Sequence, residues 1–168
     1  KMIDKVYLTA SGGSLLKVPL SKFSSMKTKN ILKHPSWKMG KKITVDSSTL
    51  INKVFEVIEA KNIFNLNYKQ LNIIIHPQSY IHAIIKFTDG MIKIIAHDTT
   101  MEIPIFNSIY LNSTKKIKTN QIDFKKLNNL NFQKIDRKKF PSVKILNNFS
   151  NKSSLYETAL VTANDEFV

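Results

Sequence analysis

The side chains best suited to chemistry crowd into residues 43–60, ITVDSSTLINKVFEVIEA. Ser47, Ser48 and Thr49 offer three consecutive hydroxyls, and Asn52, Lys53, Glu56 and Glu59 follow. Leu50, Ile51, Val54, Phe55 and Ile58 recur at helical spacing, which predicts a helix from about Ser47 to Phe64. The first turn of such a helix carries free N–H groups and the positive end of the helix dipole, and both attract an anion. The hydroxyls add donors and Lys53 adds charge. Asn52, Glu56 and Glu59 stand at i, i+4 and i+7 on one stripe, where a carboxylate can hold a metal. The same spacing also suits a plainer arrangement, in which Asp46 or Ser47 caps the helix and Lys53 pairs with Glu56 on a solvated face.

Three further segments carry reactive or binding groups. Ser11 opens SGG at 11–13, directly after an apolar run, where two glycines let the backbone approach a ligand closely. HPSWKMG at 34–40 places an imidazole, an indole and a thioether in a loop, a composition that suits a lid packing on a substrate. IHPQSYIH at 75–82 holds His76 and His82, an even spacing that one strand would present on one face if Pro77 did not interrupt it. Each has a structural alternative: a turn, a plug for the core, and two unrelated histidines.

The elements that must position these groups follow from pattern. KVYLTAS (5–11) and LNIIIH (71–76) read as buried strands, and ITV (43–45) as a short extended piece. Residues 80–97 read as two strands joined at Asp89-Gly90. A short helix capped by Thr28 is expected over 26–34, and another with Pro104 in its first turn. Residues 111–139 are polar and lysine-rich and read as an irregular arm, whereas 140–149 and 153–165 look helical, the latter capped by Ser153 or Ser154. The expected class is α+β: a mixed sheet with flanking helices over residues 1–110, a connecting arm over 111–136, and the start of a helical domain over 137–168.

Composition narrows the chemistry. The 168 residues contain no cysteine, which excludes disulfides, zinc–thiolate sites and a cysteine nucleophile. No apolar run reaches the length of a membrane span, and no charged-then-apolar leader follows Lys1. Both ends look cut from a longer chain. The net charge of +14 favours anionic partners, although the lysines are scattered and Lys, Asn and Ile are abundant together, as biased codon usage would produce.

Taken in order, LTASGG, HPSWKMGKKITVDSSTLINK with Glu56, IHPQS with His82, Met101 with IPI, FPS and TAL resemble the 1-deoxy-D-xylulose 5-phosphate reductoisomerase family. The resemblance implies an NADPH-dependent and Mg²⁺- or Mn²⁺-dependent rearrangement and reduction of that sugar phosphate to 2-C-methyl-D-erythritol 4-phosphate, in non-mevalonate isoprenoid synthesis. It implies that Ser11, Ser47, Asn52 and Lys53 hold the substrate phosphate, that Glu56 binds metal, and that His34, Trp37 and Met39 belong to a lid. Met39 and Met101 then lie near the cofactor, and Lys53 and His82 take part in catalysis. It further implies a homodimer in the cytoplasm of a bacterium, or in a plastid-type organelle, with no nucleic-acid or membrane partner. The family's acidic D-S-E metal motif and its dinucleotide-binding domain precede the matching region, so the 168 residues alone are expected to be inactive. Ser14, Val54, Thr100 and Glu102 stand where the family tends to have Pro, Gly, Asp and Arg. The rival reading is a basic nucleic-acid-binding module, suggested by the charge and by segments such as STKKIKTN.

Overall fold

The computed structural model describes residues 2–112 and 114–166; Lys1 and the last two residues of the expected helical end lie outside the described part. Four strands form one mixed sheet in the order β2-β1-β3-β4: β1 (Ile3–Ala10), β2 (Leu71–Ile75), β3 (Ile81–Phe87) and β4 (Ile92–Ala96). β1 and β2 are parallel, with Val6 beside Leu71 and Ala10 beside Ile75. β3 runs antiparallel to β1 and to β4, and Gly90, at φ 86°, makes the expected hairpin turn between β3 and β4.

The parallel pair needs a long connection, and residues 11–70 supply it with the helices that cover the sheet. These are α1 (Thr28–Ile31), α2 (Lys41–Ser48) and α3 (Ile51–Ile63). Val57 and Ala60 of α3 pack on Val6 and Leu71, which ties the helix to the parallel strands. Val54 is fully buried and lies with Ile51 and Ile58 against Ile145, Leu146 and Phe149. A larger side chain where the family tends to have glycine is thus absorbed by packing, and it removes a poor helix former. Downstream come α4 (Glu102–Ile109), α5 (Phe124–Asn128), a 3-10 segment over Pro141–Asn148, and α6 (Leu155–Glu166).

The architecture is the expected α+β sheet with a helical C-terminal portion, but three local expectations fail. ITV (43–45) is helical, within α2. The helix predicted from Ser47 is two helices with a corner at Leu50, which takes the left-handed conformation at φ 63°. Thr28 is the first helical residue and caps nothing, the N-cap being Lys27 without a side-chain bond. The arm also has more structure than its composition suggests: α5 is capped by Asp123, and Gln133 exchanges backbone bonds with Ile75 at 2.9 Å each way. Ser153 does accept the Leu155 N–H at 3.3 Å, as its position predicts.

Why a leucine occupies the corner follows from relative magnitudes. Left-handed backbone costs an L-residue roughly 1–2 kcal/mol. Leu50 is 2% exposed, in a cluster with Ala10, Leu15, Ile75, Phe140 and Val143. Burying a leucine contributes about 1.5–3 kcal/mol, enough to offset the strain.

α6 is held to the sheet's helices by a buried carboxylate. Glu157 accepts from Lys61 Nζ at 2.9 Å, from Asn62 Nδ2 at 3.3 Å and from the Tyr68 hydroxyl. Its burial would raise its pKa, but these donors outweigh that and hold it below the ordinary value, while burial first and then the same hydrogen bond push the Tyr68 phenol up. At the other end of α6, Asn164 approaches both Asp46 carboxylate oxygens at 3.5 Å, and Lys42 reaches Asp165 at 3.5 Å. Because the folded pKa of Glu157 is depressed, its contribution is complete above the ordinary glutamate value of 4.5 and is lost as the pH falls through the lower folded value. Glu157→Gln, which strands the Lys61 charge, is expected to lower stability by about 3 kcal/mol at neutral pH. Urea titrations should show that loss shrinking at acidic pH; equal losses at pH 7 and pH 3 would contradict the assignment.

Candidate functional site

The cleft lies at one end of the sheet, where β1, β2 and β4 finish and β3 begins. Open sheets of this kind commonly place ligands beyond the carboxyl ends of parallel strands. The cavity there has a volume of about 510 Å³. Ser11, His34, Trp37, Met39, Ser47, Asn52, Lys53, Glu56, His82 and Met101 all line it, whereas Ser48, Thr49, Glu59 and His76, which the sequence also singled out, do not.

Ser11 follows β1 directly, and the two glycines after it explain how it meets α2. Gly12 and Gly13 have φ of 86° and 61°. A Cβ on Gly13 would lie 2.6 Å from the Ser47 carbonyl oxygen and 2.7 Å from Ser48 Cα. Only a glycine lets the turn press on the end of α2, and that contact sets Ser11 beside Ser47.

The hydrogen bonds around Ser11 orient its proton. His34 Nδ1 accepts the backbone N–H of Ser36 at 3.1 Å and of Trp37 at 2.8 Å. The neutral ring therefore carries its hydrogen on Nε2 and donates it to Ser11 Oγ at 3.0 Å. Ser11 Oγ also accepts from the Gly13 N–H at 3.2 Å. With both lone pairs engaged, the hydroxyl is left to donate. Burial lowers the His34 pKa and favours this neutral state.

The helix pair supplies the rest of the wall, by a geometry other than the expected one. Ser47, Ser48 and Thr49 close α2 instead of opening α3, so the predicted first-turn anion site is not formed by them. Ser48 Oγ bonds the Val45 carbonyl and Thr49 Oγ1 the Asp46 carbonyl, which leaves Ser47 as the hydroxyl of the three that lines the cavity. In one continuous helix Ser47 and Asn52 would stand roughly 140° apart around the axis. The corner at Leu50 brings both to the same cavity.

Lys53 and Glu56 realise both readings of their spacing. Lys53 Nζ donates to Glu56 Oε2 at 2.5 Å, and Asn52 Nδ2 donates to Oε1 at 2.9 Å. Yet the face is not solvated: the Lys53 side chain is 15% exposed and that of Glu56 37%, and both line the cleft. Lys53 thus shares the cavity with the carboxylate it bonds and with Ser11 and Ser47.

His76 and His82 are not on one strand. His76 follows β2 fully buried, its Nδ1 donating to the Asn131 carbonyl at 2.8 Å and its ring stacked on Phe132. His82 belongs to β3 and lines the cleft with Trp37 edge-on to it, ring centroids 6.2 Å apart. Ser79, His97, Lys38, Thr9 and Pro104 also line the cavity and were missed. Ser79 sits at φ 53° with its buried Oγ unpartnered. Its one signal is a position just after Pro77; His97 has none beyond closing a strand.

The residues present do not make a closed metal site. Among the described residues no group of three or more His, Asp or Glu side chains converges, and Glu56 is the one carboxylate lining the cleft. Hard divalent cations take six or so oxygen ligands. Met39, Met101 and Pro104 give an apolar wall that a flat aromatic ring can rest on, without a dinucleotide-binding fold beside it.

Fold and cleft together define an α+β domain whose cleft gathers hydroxyl, amide and ammonium groups with the Glu56 carboxylate one helical turn away. Residues 1–64 match the 1-deoxy-D-xylulose 5-phosphate reductoisomerase C-terminal domain, and residues 98–168 match the DXP reductoisomerase C-terminal domain. The chain is 61% identical over 165 residues to the 1-deoxy-D-xylulose 5-phosphate reductoisomerase of Pelagibacter ubique, covering 98% of this chain and 42% of that one. It is 39% identical over 165 residues to the enzyme of the same name from Sulfurihydrogenibium sp., covering 98% and 44%. Among solved structures, a DOX-P reductoisomerase in complex with NADPH, fosmidomycin and magnesium superposes with a TM-score of 0.79 at 34% identity, over 86% of this chain and 36% of that one. The Zymomonas mobilis enzyme in complex with NADPH superposes with a TM-score of 0.77 at 28% identity, over 86% and 37%. The chain belongs to the 1-deoxy-D-xylulose 5-phosphate reductoisomerase family and spans less than half the length of these relatives.

Two substitutions test the anion wall. Lys53→Ala removes its charge and is expected to weaken binding of inorganic phosphate, measured by calorimetry, about tenfold. Gly13→Ala forces Ser11 away from Ser47 and should weaken phosphate similarly while Lys53 stays in place; unchanged affinity in both would place the anion elsewhere.

Proposed function

We propose that the polypeptide carrying this chain converts 1-deoxy-D-xylulose 5-phosphate to 2-C-methyl-D-erythritol 4-phosphate with NADPH and a divalent cation. One observation carries the reading: Ser11, Ser47, Asn52 and Lys53, from three separate elements, face one cavity with Glu56 a turn further along α3. The phosphate is gripped by hydroxyl and amide donors and by the Lys53 ammonium. His34 keeps Ser11 in its donating orientation. Trp37 and Met39, from the loop before α2, cover the bound sugar and exclude water. The nicotinamide rests on the Met101 side of the cleft. His82 provides a hydrogen-bonding ring at the reacting end.

A divalent cation would polarise the hydroxyketone oxygens when bound. Glu56 would be this chain's ligand to it, and the remaining oxygens would come from outside these residues. In the same reading, residues 1–110 are the catalytic domain, 111–136 the connecting arm, and 137–168 the beginning of a helical domain. α6 grips α2 and α3 at its two ends, which fits a helical domain that braces the catalytic one.

The protein acts as a homodimer in this reading. β4 is an edge strand with Ile92, Ile94 and Ile95 exposed at 59%, 54% and 47%, an apolar edge that a second copy can cover. The reading places the activity in the bacterial cytoplasm, supported by the bacterial relatives. No helix among the described residues is long and apolar enough to cross a membrane.

The decisive measurement is NADPH oxidation by the intact polypeptide, given the sugar phosphate and Mg²⁺ or Mn²⁺. Glu56→Gln is expected to lower kcat at least 100-fold at limiting metal, a loss typical of removing a group that acts only in the transition state. Circular dichroism should be unchanged. The 168 residues alone should show no turnover. Full activity of the Gln variant at limiting metal would remove Glu56 from the reaction.

A further inference from the structure

The cleft holds a pair of histidines that the reading above uses only by half. The rings of His82 and His97 lie face to face, with centroids 3.6 Å apart and planes within 10°. Trp37 meets His82 edge-on, the planes inclined by 68°. Both imidazoles have their tautomers fixed by main-chain carbonyls. His82 Nε2 donates to the His97 carbonyl at 3.0 Å, and His97 Nδ1 donates to the Asp98 carbonyl at 2.7 Å. In each neutral ring the other nitrogen is therefore an acceptor. His97 itself is anchored: its N–H donates to the Tyr80 carbonyl at 3.2 Å, and Thr99 Oγ1 donates to the Ser79 carbonyl at 3.3 Å.

We propose that His97 is a positioning residue for His82: its ring fixes the plane of the His82 imidazole, and its carbonyl fixes the tautomer that leaves Nδ1 as a hydrogen-bond acceptor. The proposal rests on the reductoisomerase reading for its kinetic consequence, though the geometry stands without it. Two cationic rings at this spacing would repel, so the stack also keeps His82 neutral. The charged groups facing His82 act in the same direction. Burial chiefly, then the positive potential of His97, of Lys53 on α3 and of His76 after β2, bring its pKa down to about 4, although the hydrogen bond to the His97 carbonyl opposes them. The nearby Asp98 carboxylate is turned to Asn120 at 2.8 Å and Lys126 at 3.4 Å, and does not bond the ring.

The test uses the intact polypeptide with ¹⁵N-labelled histidine, the His82 signals being assigned by their absence in His82→Gln. The wild type should show the Nε2–H tautomer and a midpoint near 4. His97→Ala should raise that midpoint by about a unit or more toward the ordinary value, as expected on losing a burying ring and a neighbouring charge. The Nε2–H tautomer should persist, because the carbonyl of residue 97 remains. His97→Phe keeps a flat ring without the charge and should restore most of the lowering; His97→Tyr serves if Phe does not fold. With the sugar phosphate and NADPH, His97→Ala should lower kcat about tenfold and leave KM nearly unchanged, the effect of a misplaced rather than missing group. The Phe variant should recover most of that loss. Unchanged His82 shifts in a folded His97→Ala protein would overturn the proposal, as would a wild type without the Nε2–H tautomer or two folded aromatic variants that fail to restore the midpoint. Absence of turnover in the wild type would instead reject the reductoisomerase reading and leave the spectroscopic result standing.

Discussion

The cleft depends on the corner at Leu50. A straight helix through residues 41–63 would send Ser47 and Asn52 to different sides. The left-handed leucine folds the end of α2 against the start of α3, and its own burial beside Ala10, Ile75 and Phe140 holds it there. Gly13 completes the arrangement by bringing the β1 turn into contact with the Ser47 backbone. A strained residue and a glycine without a side chain thus bring Ser11, Ser47, Asn52 and Lys53 to one cavity.

The sheet supplies the floor of this arrangement. Its mixed order puts the ends of β1, β2 and β4 beside the beginning of β3, so the turn at Ser11, the turn at Ser79, His82 and His97 arrive at one edge without long loops. The helices that cover the sheet are in turn clasped by α6. Glu157 sees α3 through Lys61 and Asn62, and Asn164 sees α2 through Asp46. The two walls of the corner are therefore fastened to the same helix, and their relative angle is braced from behind.

Much of this was legible in the residues. Period-2 and buried runs located the four strands, and Asp89-Gly90 marked the hairpin, because both signals are local. The ten side chains to which the family resemblance gave a role line one cleft; spacing alone had left each with a structural alternative. The corner was not legible. Apolar positions on either side of Leu50 keep helical spacing through it, and leucine is an unlikely residue for left-handed backbone, so periodicity reads one helix where packing makes two. The hydroxyls consequently belong to a helix end instead of a helix start. His97 and Ser79 escaped because a strand end and a turn carry no spacing rule; only the folded sheet brings them beside His82 and Trp37. Family membership, in turn, supports the proposed sugar-phosphate reading over the nucleic-acid one, between which charge alone does not choose.

The contact between Lys53 and Glu56 has a consequence for how the cleft fills. In the proposed reading one ammonium serves two sites: at 2.5 Å it neutralises the carboxylate, and it lines the same cavity as Ser11, Ser47 and Asn52. A cation taken up by Glu56 must compete with that ammonium, and an anion that draws the ammonium away leaves the carboxylate bare. Each arrival thus removes the obstacle to the other. Under the proposed function, occupancy of the two halves would be thermodynamically linked, with a positive and reciprocal coupling that a single proton-bearing side chain transmits over one turn of helix.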